Sequence, residues 1–289
     1  MTVLTLGVVA GAMYGLIAVG IVLIYRGTKV INFAQGEIGT FSLYLAWYFT
    51  TRHGLPWWYG AVVAIGGATL IGMGFEFVVV RRMVNASRVS VAVATIGLAS
   101  VLAAVELKLW GITPRSLRGP IAGDGVKVGA VYVSPTQLVS LVVLAATGVG
   151  LAWLLRSTDF GLGVLAAADD PTAVRLVGVR LSRVASFTWG AGAALAAVAA
   201  LLLEPTIKTF SPDYAGRLFV AGLVAALVGG LNSLPGAFVG GIAVGVIEAY
   251  VRQRTLTSSV SGLSTLAMFA LILIVLLVRP RGLLGKAPA

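Results

Sequence analysis

RSTDFGLGVLAAADDPTAVRLVGVRLSR, residues Arg156 to Arg183, is the one sizeable polar insert in a chain that otherwise alternates long apolar runs with short polar joints. Its residues spell two short helices. An Ala-rich turn passes through Leu165 to Ala168, Asp170 stands in a capping position with Pro171 as the first helical residue, and Gly178 falls where a helix stops. An aspartate at a cap accepts from first-turn amides, a proline just inside gives up an N–H that had no partner, and a glycine past the end takes the left-handed conformation. Basic residues stand on both sides, Arg156 before and Arg180 and Arg183 after. Such an amphipathic elbow suits a membrane subunit that receives force from a soluble partner. An ordinary cytoplasmic loop that happens to be helical fits the same residues.

Composition says why the surroundings are membrane. Of the 289 residues 58% are hydrophobic and 11% charged, too few polar groups to cover a soluble domain of that size, so the bilayer is the solvent. The net charge of +11 sits in small groups at the ends of apolar runs rather than in one patch, the distribution of membrane anchoring and not of nucleic-acid binding. No cysteine is present, which excludes disulfides and thiolate metal sites. His53 follows Arg52 in a short loop and reads as a solvated side chain.

Upstream of the insert, the apolar stretch from Val3 to Tyr25 is long enough to span a core of roughly 30 Å and lacks the marks of a cleaved signal, so it reads as a retained helix. Gly7, Gly11 and Gly15 recur every fourth residue and present a smooth stripe to a neighbouring helix. The segment Arg26 to Gly39, RGTKVINFAQGEIG, then breaks the apolar pattern before Phe41 to Phe49 resumes it. At membrane depth a break survives only where protein or a water-filled cavity satisfies its backbone, so Asn32, Gln35 and Glu37 either line a polar path or form a plain cytoplasmic turn. Further spans are expected over Trp57 to Val80, Val89 to Trp110 and Pro135 to Leu155, with a small hairpin in the loop Gly111 to Ser134.

Downstream, spans are expected from Val184 to Leu203, from Leu218 to Val228, from the turn around Asn232, Ser233 and Pro235 on to Ile247, and from Leu263 to Val278. Gly236 with Gly240 and Gly241 with Gly245 repeat the spacing of four and predict closely packed arms. The fold class is therefore an all-α polytopic bundle of eight or nine transmembrane helices, a single domain over 1–289, with broken or re-entrant segments and an elbow over 156–183. Placing the elbow inside puts Arg26, Lys29, Arg81, Arg82, Arg88, Arg156, Arg175, Arg180, Arg183, Arg279, Arg281 and Lys286 there, twelve of the 21 Lys and Arg. The N-terminus is then outside and the C-terminus cytoplasmic.

Enzymatic signatures are lacking: no GxxxxGK[ST], no HExxH and no GxSxG occurs. Glu76, Glu106 and Glu248 lie near expected helix ends, five, two and four residues before Arg81, Lys108 and Arg252, and read as interface ion pairs. That pattern disfavours a self-powered carrier.

Four separated motifs, GLIAVGIVLIYRGTKVINFAQGEIG, RSTDFG followed by AADDPTAVRLVGV, VGGLNSLPGAFVGG and LLVRPRGLLG, give the whole chain a resemblance to the LivH-type permeases of branched-chain amino acid ABC transporters. The resemblance implies a bacterial inner-membrane subunit, paired with a LivM-type permease, two ATPases of LivG and LivF type and a periplasmic or lipid-anchored substrate-binding protein. It implies no cofactor on this chain, ATP being used by the partners. The family's NFAHGE-like motif corresponds to Asn32, Phe33, Ala34, Gln35, Gly36 and Glu37, where Gln35 replaces a frequent histidine and removes any titrating role. The ATPase-coupling helix corresponds to Ala168, Asp169, Asp170, Pro171, Ala173, Arg175, Leu176 and Gly178. Since a zwitterion entering hydrocarbon needs hydrogen-bond partners, the expected path residues are Asn32, Gln35, Glu37, Thr40, Ser42, Asn232 and Ser233, each of which also fits a helix-packing role. Members of similar appearance serve urea, short amides or aromatic acids, and a standalone channel or carrier is the remoter alternative.

Overall fold

In a computed structural model of the chain, two helices form the axis of the bundle, α1 (Val3–Thr28) and α8 (Leu181–Ile207). Their apolar windows are 89% and 78% buried, against 22%, 22% and 17% for α3 (Trp57–Val78), α4 (Arg88–Trp110) and α5 (Pro135–Ser157). The structure describes residues 3–117, 119–121, 126–128, 131–133, 135–255, 266, 269–271, 273, 274, 277 and 282. The remaining elements are α2 (Gln35–Trp47), β1 (Val126–Val128), β2 (Val131–Val133), α6 (Asp159–Asp169), α7 (Pro171–Leu176), α9 (Tyr214–Gly229) and α10 (Leu234–Thr255). The two strands pair antiparallel, Val126 opposite Val133, as the loop sequence predicts.

Six helices among the described residues are long and apolar enough to cross a membrane, with α9 shorter. The apolar run that resumes at Phe41 falls on a short element. The 13-residue α2 rises about 20 Å by itself, less than a full crossing. The span expected over 263–278, the tail arginines and Lys286 lie mostly or wholly outside the described residues.

Glycine decides which helices touch. A Cβ on Gly11 would lie 2.7 Å from the Gly241 carbonyl oxygen and 2.7 Å from Ile242 Cα, and one on Gly7 2.7 Å from Val246 Cα, so the stripe on α1 is the seat of α10. Backbone meets backbone there. The glycines of α10 divide their work: Gly241 and Gly245 face Gly15 and Gly11, whereas Gly236 and Gly240 face Gly229 and Ala225 of α9. With no hydrophobic drive between helices in lipid, such close approach supplies the packing that holds α1, α9 and α10 together.

Several helix boundaries differ from expectation, two of them with a visible local cause. α2 begins at Gln35, six residues before the apolar run resumes, because the Asn32 carboxamide oxygen accepts from Ala34 N at 3.0 Å and organises the first turn. α8 continues past Leu203 through Pro205 to Ile207, closing on Lys208 in the left-handed conformation at φ 71°. At the end of α8 far from the elbow, Arg115 and Phe210 exchange backbone hydrogen bonds of 2.8 Å, and Arg115 lies over the Trp47 ring at 4.5 Å.

Candidate functional site

The polar break is stitched into the middle of the bundle. Gln35 Nε2 donates to the Gly192 carbonyl of α8 at 2.7 Å, and Asn32 Nδ2 donates to Gln35 Oε1 at 3.2 Å. Phe33 N donates to Thr95 Oγ1 of α4 at 3.1 Å, while its ring meets Phe219 of α9 at 5.4 Å. Thr95 of α4 thus satisfies one amide of the interrupted backbone, as irregular structure at membrane depth requires, while α8 and α9 meet the break through side-chain contacts. The approach to α8 needs bare backbone, since a Cβ at Gly20 would stand 2.7 Å from Gln35 Nε2 and 2.9 Å from the Gly192 carbonyl oxygen.

The other residues expected to line a path fall into three settings. Thr40 and Ser42 are fully buried and donate to the carbonyls one turn back, Gly36 at 3.1 Å and Ile38 at 2.6 Å, so within this chain their hydroxyls serve α2 itself. Glu37 is half-buried, with Oε2 lacking a hydrogen-bond partner among the described residues. Asn232 is exposed, and Ser233 Oγ accepts from Gly236 N at 3.0 Å, capping α10 far along the sequence from the break.

The elbow is built as its residues predict. Asp170 caps α7, its Oδ1 accepting from Thr172 N at 2.8 Å and Ala173 N at 3.0 Å, with Pro171 first in the helix. Arg175 lies in the last turn, and Gly178 at φ 87° ends it. Val164, Ala167 and Val174 bury against Leu23 of α1, Leu155 of α5 and Val184 of α8. Ala168 is buried, whereas Leu176 and Val177 project from the tip, 86% and 79% exposed.

Break and elbow are joined directly. Lys29 Nζ donates to the Ala168 carbonyl at 2.8 Å, and Arg26 Nη2 pairs with Asp169 Oδ1 at 3.2 Å. Lys29 itself sits at φ 58°, an unusual conformation for a residue with a side chain. Burial, helped by the neighbouring Arg26 charge, pushes its ammonium below the ordinary lysine range. In the sequence both residues read only as inner-face charges; the density of polar groups in RGTK was the available signal.

The whole chain carries the mark of one family. Residues 3–278 match the family described as branched-chain amino acid transport system / permease component. The chain belongs to this family. The permease is 30% identical over 295 residues to the high-affinity branched-chain amino acid transport system permease protein BraD of Pseudomonas aeruginosa, covering 97% of this chain and 94% of that one. It is 31% identical over 296 residues to LivH of Escherichia coli K12, with the same two coverages of 97% and 94%. A probable LivH permease of Methanocaldococcus jannaschii is 26% identical over 93% of this chain and 88% of its own length. The permease is thus an integral membrane transport subunit.

The expected ion pairs need one correction. Glu76 does pair with Arg81, at 2.9 Å, and also accepts from Ser186 Oγ at 2.6 Å. Glu106 does not pair with Lys108: it is fully buried, neither carboxylate oxygen has a hydrogen-bond partner among the described residues, and Lys108 is exposed. Residues two apart on a helix point to opposite sides, and Glu106 turns inward to the electrostatic neighbourhood of Glu37 and Tyr44 on α2. Glu248 of α10 is an electrostatic neighbour of Tyr14 of α1. Glu204 is also buried, Oε1 accepting from Leu117 N at 2.9 Å. Buried acids therefore exist in this permease, and the expected surface pairing of its glutamates is no ground for excluding a self-powered carrier.

Proposed function

We propose that this permease moves branched-chain amino acids into the cell as one of two membrane subunits of an ABC importer in the bacterial inner membrane. Support for the mechanism comes above all from the clamp of Lys29 on Ala168 and Arg26 on Asp169, which ties the segment a motor can reach to the segment that interrupts the bundle. The substrate class is that named for BraD and LivH, the relatives that match nearly end to end. Leu176 and Val177 form an exposed apolar tip, the kind of surface that inserts into a groove on an ATPase of LivG or LivF type. The elbow and C-terminus lie in the cytoplasm and the N-terminus outside, the orientation that gathers most Lys and Arg on the inner face.

ATP bound by the partner subunits closes them and displaces the elbow. The clamp passes that displacement to residues 29–35, and the Asn32, Gln35 and Gly192 bonds rearrange as this chain and a LivM-type permease turn from inward-facing to outward-facing. Side chains released from internal bonds then offer donors and acceptors to the ammonium and carboxylate of an amino acid delivered by the binding protein. The chain itself binds no nucleotide.

Proteoliposomes holding both permeases, both ATPases and the binding protein should accumulate leucine only with ATP inside, whereas vesicles holding this chain alone should not. Leucine accumulation by the isolated chain would overturn the subunit mechanism. Uptake of urea, a short amide or an aromatic acid without leucine uptake would overturn the substrate class.

A further inference from the structure

The end of α8 nearest the elbow borders a cavity of about 650 Å³ between α3, α6 and α8 that the transport mechanism leaves unused. Its mouth is cationic and its depth is apolar. Arg81, Arg180 and Arg183 stand at the mouth beside Ser186, and no acidic side chain is among the described residues that line it. Arg81 is held in place from behind, by Glu76 at 2.9 Å, Ser186 Oγ at 2.7 Å and the Phe77 ring at 4.8 Å from its guanidinium carbon. Glu76 offsets one of the three charges, leaving the mouth positive.

Below the arginines run Met73 of α3 and Phe187, Gly190 and Ala194 of α8, with Phe160 of α6 set edge-on to Phe187 at 5.1 Å. Along α8 the trough extends from Arg183 to Ala194, about 16 Å at the helical rise, close to the roughly 15 Å of one leaflet's hydrocarbon. A soluble anion would satisfy the mouth and leave this trough unfilled. A zwitterionic lipid would bring its own ammonium group against the guanidiniums. We propose that the cavity binds an anionic phospholipid, its phosphate among Arg81, Arg180 and Arg183 and one acyl chain along the trough.

The test uses the full chain in detergent, with bound lipid read by native mass spectrometry. Wild-type protein should retain phosphatidylglycerol in preference to phosphatidylcholine, and excess glycerol 1-phosphate should not displace it. Arg180→Gln with Arg183→Gln should weaken phosphatidylglycerol binding about tenfold or more. Ala194→Phe, which keeps every arginine and fills the deep end, should also lose the lipid, and the assembled transporter should retain it as the isolated chain does. Equal retention of phosphatidylcholine, unchanged affinity in both variants, or displacement by glycerol 1-phosphate would overturn the proposal. So would loss of the lipid on assembly, which would mark the rim as the seat of an acidic partner surface.

Discussion

Lys29 Nζ lies 2.8 Å from the carbonyl oxygen of Ala168, a contact between residues 139 positions apart that fastens the exit of α1 to the end of α6. A backbone carbonyl accepts this bond, so no partner side chain has to adopt a rotamer for it to form. The Lys29→Met variant keeps length and apolar stem but lacks the donor. In the reconstituted importer it should lower leucine uptake about tenfold, the scale of a coupling energy, while ATP hydrolysis by the partner subunits persists. Uptake and hydrolysis falling together, with the protein still folded, would make the contact a structural brace and not a transmission element.

Asp170 gives a second handle on the elbow, because its carboxylate satisfies two first-turn amides of a helix only six residues long. Removing the cap in Asp170→Ala should cost about 1 kcal/mol of local stability, and faster amide exchange over residues 172–176 should report it. Asp170→Asn retains a capping oxygen and should exchange near the wild-type rate. Equal exchange in both variants would mean that tertiary packing, not the cap, holds α7.

The glycine seam between α1 and α10 should be far less tolerant than glycine in general. A side chain at Gly11 would meet the backbone of Gly241 and Ile242, whereas Gly148 and Gly150 on α5 have nothing within 4 Å of an added Cβ. Gly11→Leu should destabilise the detergent-solubilised protein by about 1–3 kcal/mol or prevent its accumulation, and Gly148→Leu should be neutral. Thermal melts of the two variants compare them directly, and matching melting points would dissociate the seam from stability.

These cases show where residue patterns carry structural information and where they stop. The stripe of Gly7, Gly11 and Gly15 and the cap at Asp170 are local: spacing along one helix, or an oxygen two residues from an amide, is written in consecutive letters. The membrane class follows from composition in the same way. The partner of Gln35 is a carbonyl of Gly192, and the partner of Lys29 is a carbonyl of Ala168; every residue owns a carbonyl, so nothing in the sequence distinguishes these two. Helix ends are similarly veiled where polarity misleads. Polar Gln35 and Glu37 look like loop, yet they belong to a helix whose start Asn32 organises, and Thr40 and Ser42 bond back onto their own turn.

Glu106 is the point at which sequence proximity and spatial proximity part most clearly, and it yields the last expectation. A carboxylate paired with Lys108 would contribute stability through its charge, so neutralising it would lower the melting temperature. The buried Glu106, with neither oxygen hydrogen-bonded among the described residues and Glu37 as its electrostatic neighbour, stands in the opposite situation. A group of this kind carries a desolvation penalty in its charged form that no partner offsets, and glutamine keeps its shape without the charge. Glu106→Gln should therefore raise the melting temperature of the solubilised permease by about 2–4 °C, the equivalent of about 1 kcal/mol in a protein of this size. Lys108→Gln should leave it unchanged. A fall in both variants would restore the ion pair, and a fall in Glu106→Gln alone would point to a partner for this carboxyl supplied from outside the described residues.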